Sequence, residues 1–100
     1  MDIRKLDRIR DRLNSFRGKG GIKPRKLEAL ARALGRTRVK RGKEPTWENK
    51  EIAGLRPLAI PHHSTELNKN TAGSILDQLE GDIERIEEEL RKVSEGGERK

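Results

Sequence analysis

Ile3, Leu6, Ile9, Leu13 and Phe16 recur at steps of three and four residues. This spacing predicts an amphipathic helix over 3–16, with Asp2 placed to cap its first turn. Arg4, Lys5, Arg8, Arg10 and Arg12 fill the rest of its circumference. The pattern stops at Arg17-Gly18-Lys19-Gly20-Gly21, a flexible breaker that reads as a linker over 18–22. A second stripe, Leu27, Leu30, Ala31 and Leu34, predicts a helix over 23–34. Pro24 suits its first turn, and Gly35 ends it because glycine accepts the left-handed conformation.

The period then changes from 3.6 to 2. Over Arg36-Thr37-Arg38-Val39-Lys40-Arg41, alternation puts Arg36, Arg38 and Lys40 on one face and Thr37 and Val39 on the other. Gly42 to Pro45 reads as a turn, Thr46 to Asn49 as a short returning strand, and Arg56 to Pro61 as a third strand with Leu58 and Ile60 inward. Two prolines in that third strand favour an edge position, or only a few paired residues. Asn70 or Thr71 can cap a last helix ending near Val93, whose stripe is Ile75, Leu79, Ile83, Ile86, Leu90 and Val93.

A helix of roughly twenty residues, rising 1.5 Å per residue, outruns a small sheet. Its last turns need another helix, and the segment 3–16 is the available one, either within the chain or across a homodimer through helices 3–16 and 71–93. The order is one helix, then α-β-β-β-α. The fold class is α+β, a three-stranded antiparallel sheet backed by helices. The chain divides into an N-terminal helix (1–17), a linker (18–22), a domain with an extended C-terminal helix (23–93) and a tail (94–100).

Composition narrows the function classes. One hundred residues, 30% apolar and 41% charged, make one small domain with a thin core. No apolar run approaches the ~20 residues of a membrane span, and the N-terminus lacks the apolar stretch of a signal peptide, so a cytoplasmic protein with no membrane partner is expected. Without cysteine there is no disulfide, thiolate metal site or thiol nucleophile. The net charge of +7 is unevenly spread. Residues 21–56 hold eleven basic and four acidic side chains, and residues 71–90 hold one basic and seven acidic. A basic middle beside an acidic helix points to a polyanion-binding face and a separate use for the acidic segment.

The glycines at 18–21 lack a preceding strand and the spacing of a phosphate loop. His62 and His63 are adjacent with no third ligand at a metal-binding spacing, and no cofactor is expected. The two histidines are either proton-transfer groups or polar loop residues. Arg36, Arg38 and Lys40, with Arg41 and Lys43 nearby, suit a phosphate backbone. Trp47 either stacks on a base or packs into the core.

The segment Leu58-Ala59-Ile60-Pro61-His62-His63-Ser64-Thr65-Glu66-Leu67-Asn68-Lys69-Asn70-Thr71, continuing through Ser74-Ile75-Leu76, resembles the C-terminal half of HicA-type toxins. In that family a strand ends in a Pro-x-His-Ser-like turn, followed by a Glu-Leu, a Thr and a helix with an Ile-Leu pair. Lys26 to Gly35 looks like the family's first helix, and Arg36 to Arg41, Gly42 and Trp47 like its first hairpin, so the resemblance covers about residues 22–80. It implies a double-stranded-RNA-binding-domain-like fold and the activity of an mRNA interferase, an endoribonuclease of a toxin–antitoxin system, with RNA as substrate and a HicB-type antitoxin as partner. The family's catalytic histidine lies in a Gly-Ser-His-like motif on the hairpin. Here Gly42 matches, Lys43 replaces the serine and Glu44 stands where the histidine would be, while His63 matches the Pro-x-His position. An RNA-cleaving relative would therefore use Glu44, or His62 and His63, for proton transfer, with Arg38, Lys40, Arg41 and Lys43 on phosphates. The alternatives are a non-catalytic nucleic-acid-binding relative and a helical protein-interaction module.

Overall fold

The computed structural model describes residues 2–41, 44–52, 54–61 and 65–98, with side chains at these positions except 41, 44 and 93–98. It is an α+β fold in the order α1 (Ile3–Phe16), α2 (Pro24–Ala33), β1 (Thr37–Arg41), β2 (Glu44–Glu48), β3 (Leu58–Ala59) and α3 (Lys69–Glu98). The sheet is antiparallel with β2 in the centre, Arg38 opposite Trp47 and Trp47 opposite Leu58. Residues directly opposite share a face. Trp47 and Leu58 therefore mark the face that carries the core, where they pack with Leu27, Leu30, Leu76, Leu79 and Ile83.

Helix α1 begins as its cap residue dictates, with the Asp2 carboxylate accepting from the Lys5 N–H at 2.8 Å. It buries Leu6, Ile9 and Leu13 and runs antiparallel to α3 within the chain. Arg10 pairs with Glu87 at 2.8 Å, and Arg17, at the other end, pairs with Asp77 and Glu80. The two long helices thus satisfy each other's apolar stripes without a second copy. The bond from Arg10 holds the Glu87 carboxyl below the ordinary carboxylate range. A depressed folded pKa contributes stability above the unfolded value and loses it as pH falls through the folded one. Arg10→Met should move the Glu87 titration, followed by carboxyl-carbon NMR, back up toward the ordinary range. An unmoved titration would mean that the pair does not persist in solution.

The breaker at 18–22 ends on Ile22, which is buried and bridges Leu67, whose N–H donates to the Ile22 carbonyl at 2.9 Å. Gly21 makes that crossing at φ +73°, and a Cβ there would lie 2.5 Å from the Glu66 carboxylate. Helix α3 starts two residues earlier than the spacing of polar residues predicts, because Asn68 caps it, accepting from the Thr71 N–H at 2.8 Å. It also runs past Val93 into the predicted tail. Glu87–Arg91 and Glu88–Lys92 pairs at i,i+4, with glutamate on the N-terminal side, support its later turns.

In the sheet, β2 takes in Glu44 and Pro45, which the sequence assigns to a turn. Pro45 lies one place beyond the last β2–β3 pair, Thr46 with Ala59, where the ladder to β3 has ended. The third strand pairs only at Leu58 and Ala59, at the sheet edge between its prolines, and Leu58 and Ile60 are buried. No described helix is long and apolar enough to cross a membrane.

Of the glycines in α3, Gly73 and Gly81 stand there without a packing reason, since a Cβ at either would meet no atom within 4 Å. Glycine costs a helix interior about 0.5–1 kcal/mol relative to alanine. Gly73→Ala and Gly81→Ala should each raise the unfolding free energy by about that amount, read as a higher urea midpoint, and a lowered midpoint would show that the positions are sterically closed.

Candidate nucleic-acid interface

Helix α2 stops in a Schellman motif. The Gly35 N–H donates to the Arg32 carbonyl at 3.0 Å, the Arg36 N–H to the Ala31 carbonyl at 2.9 Å, and Gly35 takes φ +93°. The residue after the left-handed glycine in this motif turns back toward the helix and is usually apolar. Here it is an arginine. Arg36 is 3% exposed, and its guanidinium forms a two-point pair with Asp82, which is 1% exposed. Its remaining contacts are donated to the Trp47 carbonyl at 2.6 Å and the Arg56 carbonyl at 2.9 Å. Arg36 therefore belongs to the interior, and its grouping with the phosphate-binding residues is corrected. The alternation put it on one face with Arg38 and Lys40, as observed, but that is the face α3 covers.

Trp47 is also interior, fully buried at 0% exposure on the central strand. Of the two roles that the sequence leaves open, base stacking is excluded because no part of the ring reaches solvent. Its Nε1 has no hydrogen-bond partner among the described residues. Across the ring sits the Arg32 guanidinium, 4.9 Å from the centroid and within cation–π range.

Arg38 and Lys40 are exposed on β1. Arg38, opposite Trp47, is a cross-strand neighbour of the ring that Arg32 covers, with side-chain origins about 4.5–5.5 Å apart. Arg32 in turn lines one cleft with Lys5 of α1, a cleft that also carries Glu51 and Glu89. Lys5, Arg8 and Arg12 follow at steps of three and four along one side of α1, all exposed. Arg25, seven residues before Arg32, lies on the same exposed side of α2. Arg32 and Arg38 thus adjoin Trp47, with Lys5 in the cleft beside Arg32 and Lys40 two residues further along β1, and among the described residues no carboxylate forms an ion pair with Arg32, Arg38 or Lys40. Arg41 and Glu44 are opposite each other in the ladder, with side chains outside the described ones; Lys43, His62 and His63 lie outside the described residues.

Four acidic residues of α3 are drawn elsewhere. Asp77, Glu80 and Glu87 face α1, and Asp82 holds Arg36. Sequence reading missed Arg32 and Lys5 because their meeting depends on how α2 packs against the sheet and α1. The one local sign is that Arg32 falls on the polar side of α2, one turn before its glycine stop. No protein-family model, curated protein or solved structure matches the chain.

Proposed function

We propose that the protein is a HicA-like, toxin-related RNA-binding protein of the cytoplasm that holds RNA through Arg32, Arg38 and Lys40, with Lys5 and Arg25 extending the surface. The observation that supports this reading is that Arg32 of α2 and Arg38 of β1 meet exposed at one buried ring, with Lys5 of α1 in the cleft that Arg32 lines, while Asp77, Glu80, Asp82 and Glu87 of α3 are paired elsewhere. Clustered like charges repel, and a polyanion relieves that repulsion and releases its own counterions. In the endoribonuclease form of the proposal, Glu44, or His62 and His63, takes the proton of the attacking 2′-hydroxyl as its oxygen bonds to phosphorus and returns one to the leaving 5′-oxygen as that P–O bond breaks, and Arg38, Lys40, Arg41 and Lys43 stabilise the charge that develops on the phosphate oxygens. A HicB-type antitoxin is the partner that the family resemblance adds.

The test is incubation of the purified protein with a structured messenger RNA beside Glu44→Ala, His63→Ala and Arg32→Ala/Arg38→Ala/Lys40→Ala variants. Cleavage lost in Glu44→Ala or His63→Ala identifies a rebuilt active site. Intact RNA retarded on a gel, with retardation abolished by the triple variant and falling steeply with salt, identifies a binding protein without the chemistry. Retardation undiminished in the triple variant would show that the surface is wrongly assigned. Neither cleavage nor retardation would leave the protein-interaction module.

A further inference from the structure

Phe16, Ala33, Ile52 and Leu90 pack against the core while only partly buried. Three of these, Ala33, Ile52 and Leu90, line the cleft that Arg32 shares with Lys5, and the buried Leu34 and Ile86 complete its apolar wall. The cleft has a volume of about 400 Å³. Small-molecule sites run from about 300 to 1,000 Å³ and join a mostly apolar wall to a few polar groups. Its described lining residues come from the three helices, the stop of α2 and the loop after β2. None belongs to a strand, so an extended peptide finds no ladder to join here. The shape suits a compact ligand.

The charges at the rim decide its sign. Glu89 lies 3.8 Å from Arg85 and 4.0 Å from Lys92, so its carboxylate is shared with cations of its own helix. Lys5, Arg32 and Glu51 form no ion pair among the described residues. Two cations against one carboxylate leave the cleft one positive charge in excess. Arg32 is also held in place, its guanidinium 4.9 Å from the centroid of the Trp47 ring. A ligand with an apolar body would cover the partly buried wall, and one anionic group would cancel the excess charge.

We propose that this cleft binds a small apolar carboxylate, its body against Ile52, Ile86 and Leu90 and its anionic group on Arg32 and Lys5. Both cations also belong to the RNA surface proposed above, but the carboxylate site stands without RNA and its test uses none. The full chain is titrated with octanoate, and separately with octylamine, and followed by methyl NMR. Expected is saturable movement of the Ile52, Ile86 and Leu90 signals, with a dissociation constant on the order of 1 mM or below. Octylamine should bind at least about tenfold more weakly, and Lys5→Gln/Arg32→Gln should weaken octanoate about tenfold. Ala33→Leu, which puts a larger side chain into the cleft, should abolish octanoate binding. Circular dichroism should show both variants folded, since leucine and glutamine are good helix formers. No saturation at about ten times the expected constant overturns the proposal. So does octylamine bound as tightly as octanoate, or undiminished octanoate affinity in either folded variant.

Discussion

Arg36→Ala and Asp82→Ala should each destabilise the protein by about 3–5 kcal/mol, the largest single-residue losses expected on the charged side of its interior. Each leaves its former partner buried and charged with nothing opposite it. The Arg36 guanidinium also serves the Trp47 and Arg56 carbonyls, so its removal strands two backbone acceptors as well. That asymmetry makes a second prediction within the pair. Arg36→Met/Asp82→Leu, which removes both charges, should recover part of the loss but not all of it, because no apolar side chain can donate to the two carbonyls. Urea unfolding of the wild type, Arg36→Met, Asp82→Leu and the double variant completes the cycle, with the two alanine variants measured beside it. A loss under about 1 kcal/mol in either single variant would mean that the pair is solvated and the contact inferred here is absent.

This pair also shows where the sequence stops being informative. The period-2 alternation across Arg36, Arg38 and Lys40 is right about the shared face. Which face of a three-stranded sheet is covered depends on a helix 46 residues away in sequence. A local clue existed nonetheless, since the position after a helix-ending left-handed glycine turns inward, and Gly35 marks that position as 36. The helices α1 and α2 and the three-strand order are legible because each rests on a repeat within its own segment. The start of α3 is off by two residues because Asn68, Asn70 and Thr71 are all competent caps, and only the packing of Ala72, Ile75 and Leu76 into the core decides among them. Ile22 carries no local sign of its role. A lone apolar residue among glycines and lysines becomes core only through its bridge to Leu67. At the candidate site, Arg38 and Lys40 are readable from alternation. Lys5 and Arg32 are not, since their neighbourhood is made by packing of three separate elements.

Trp47→Ala should cost about 3–5 kcal/mol, since it empties the largest fully buried side chain at the centre of the sheet. Trp47→Phe should cost much less. The smaller ring still fills most of the space, and the change removes a buried N–H that has no acceptor among the described residues. The two substitutions therefore separate core packing from any direct role in RNA binding. If the ring only packs and supports Arg32, Trp47→Phe keeps both the fold and the affinity for RNA, because a phenyl face still accepts a cation above it. An exposed stacking tryptophan would behave in the opposite way, with Trp47→Ala sparing stability and abolishing binding. Thermal unfolding and anisotropy on the same two variants measure both quantities. The outcome that would sink the interior assignment is a Trp47→Ala protein with an unchanged melting temperature. The same experiment bears on the surface above the ring. Arg32 and Arg38 are neighbours because one lies over Trp47 and the other stands opposite it in the ladder, so collapse of this residue to alanine removes the support that holds the two cations side by side. Any Trp47→Ala protein that remains folded should then bind RNA more weakly without having lost a single phosphate-contacting group.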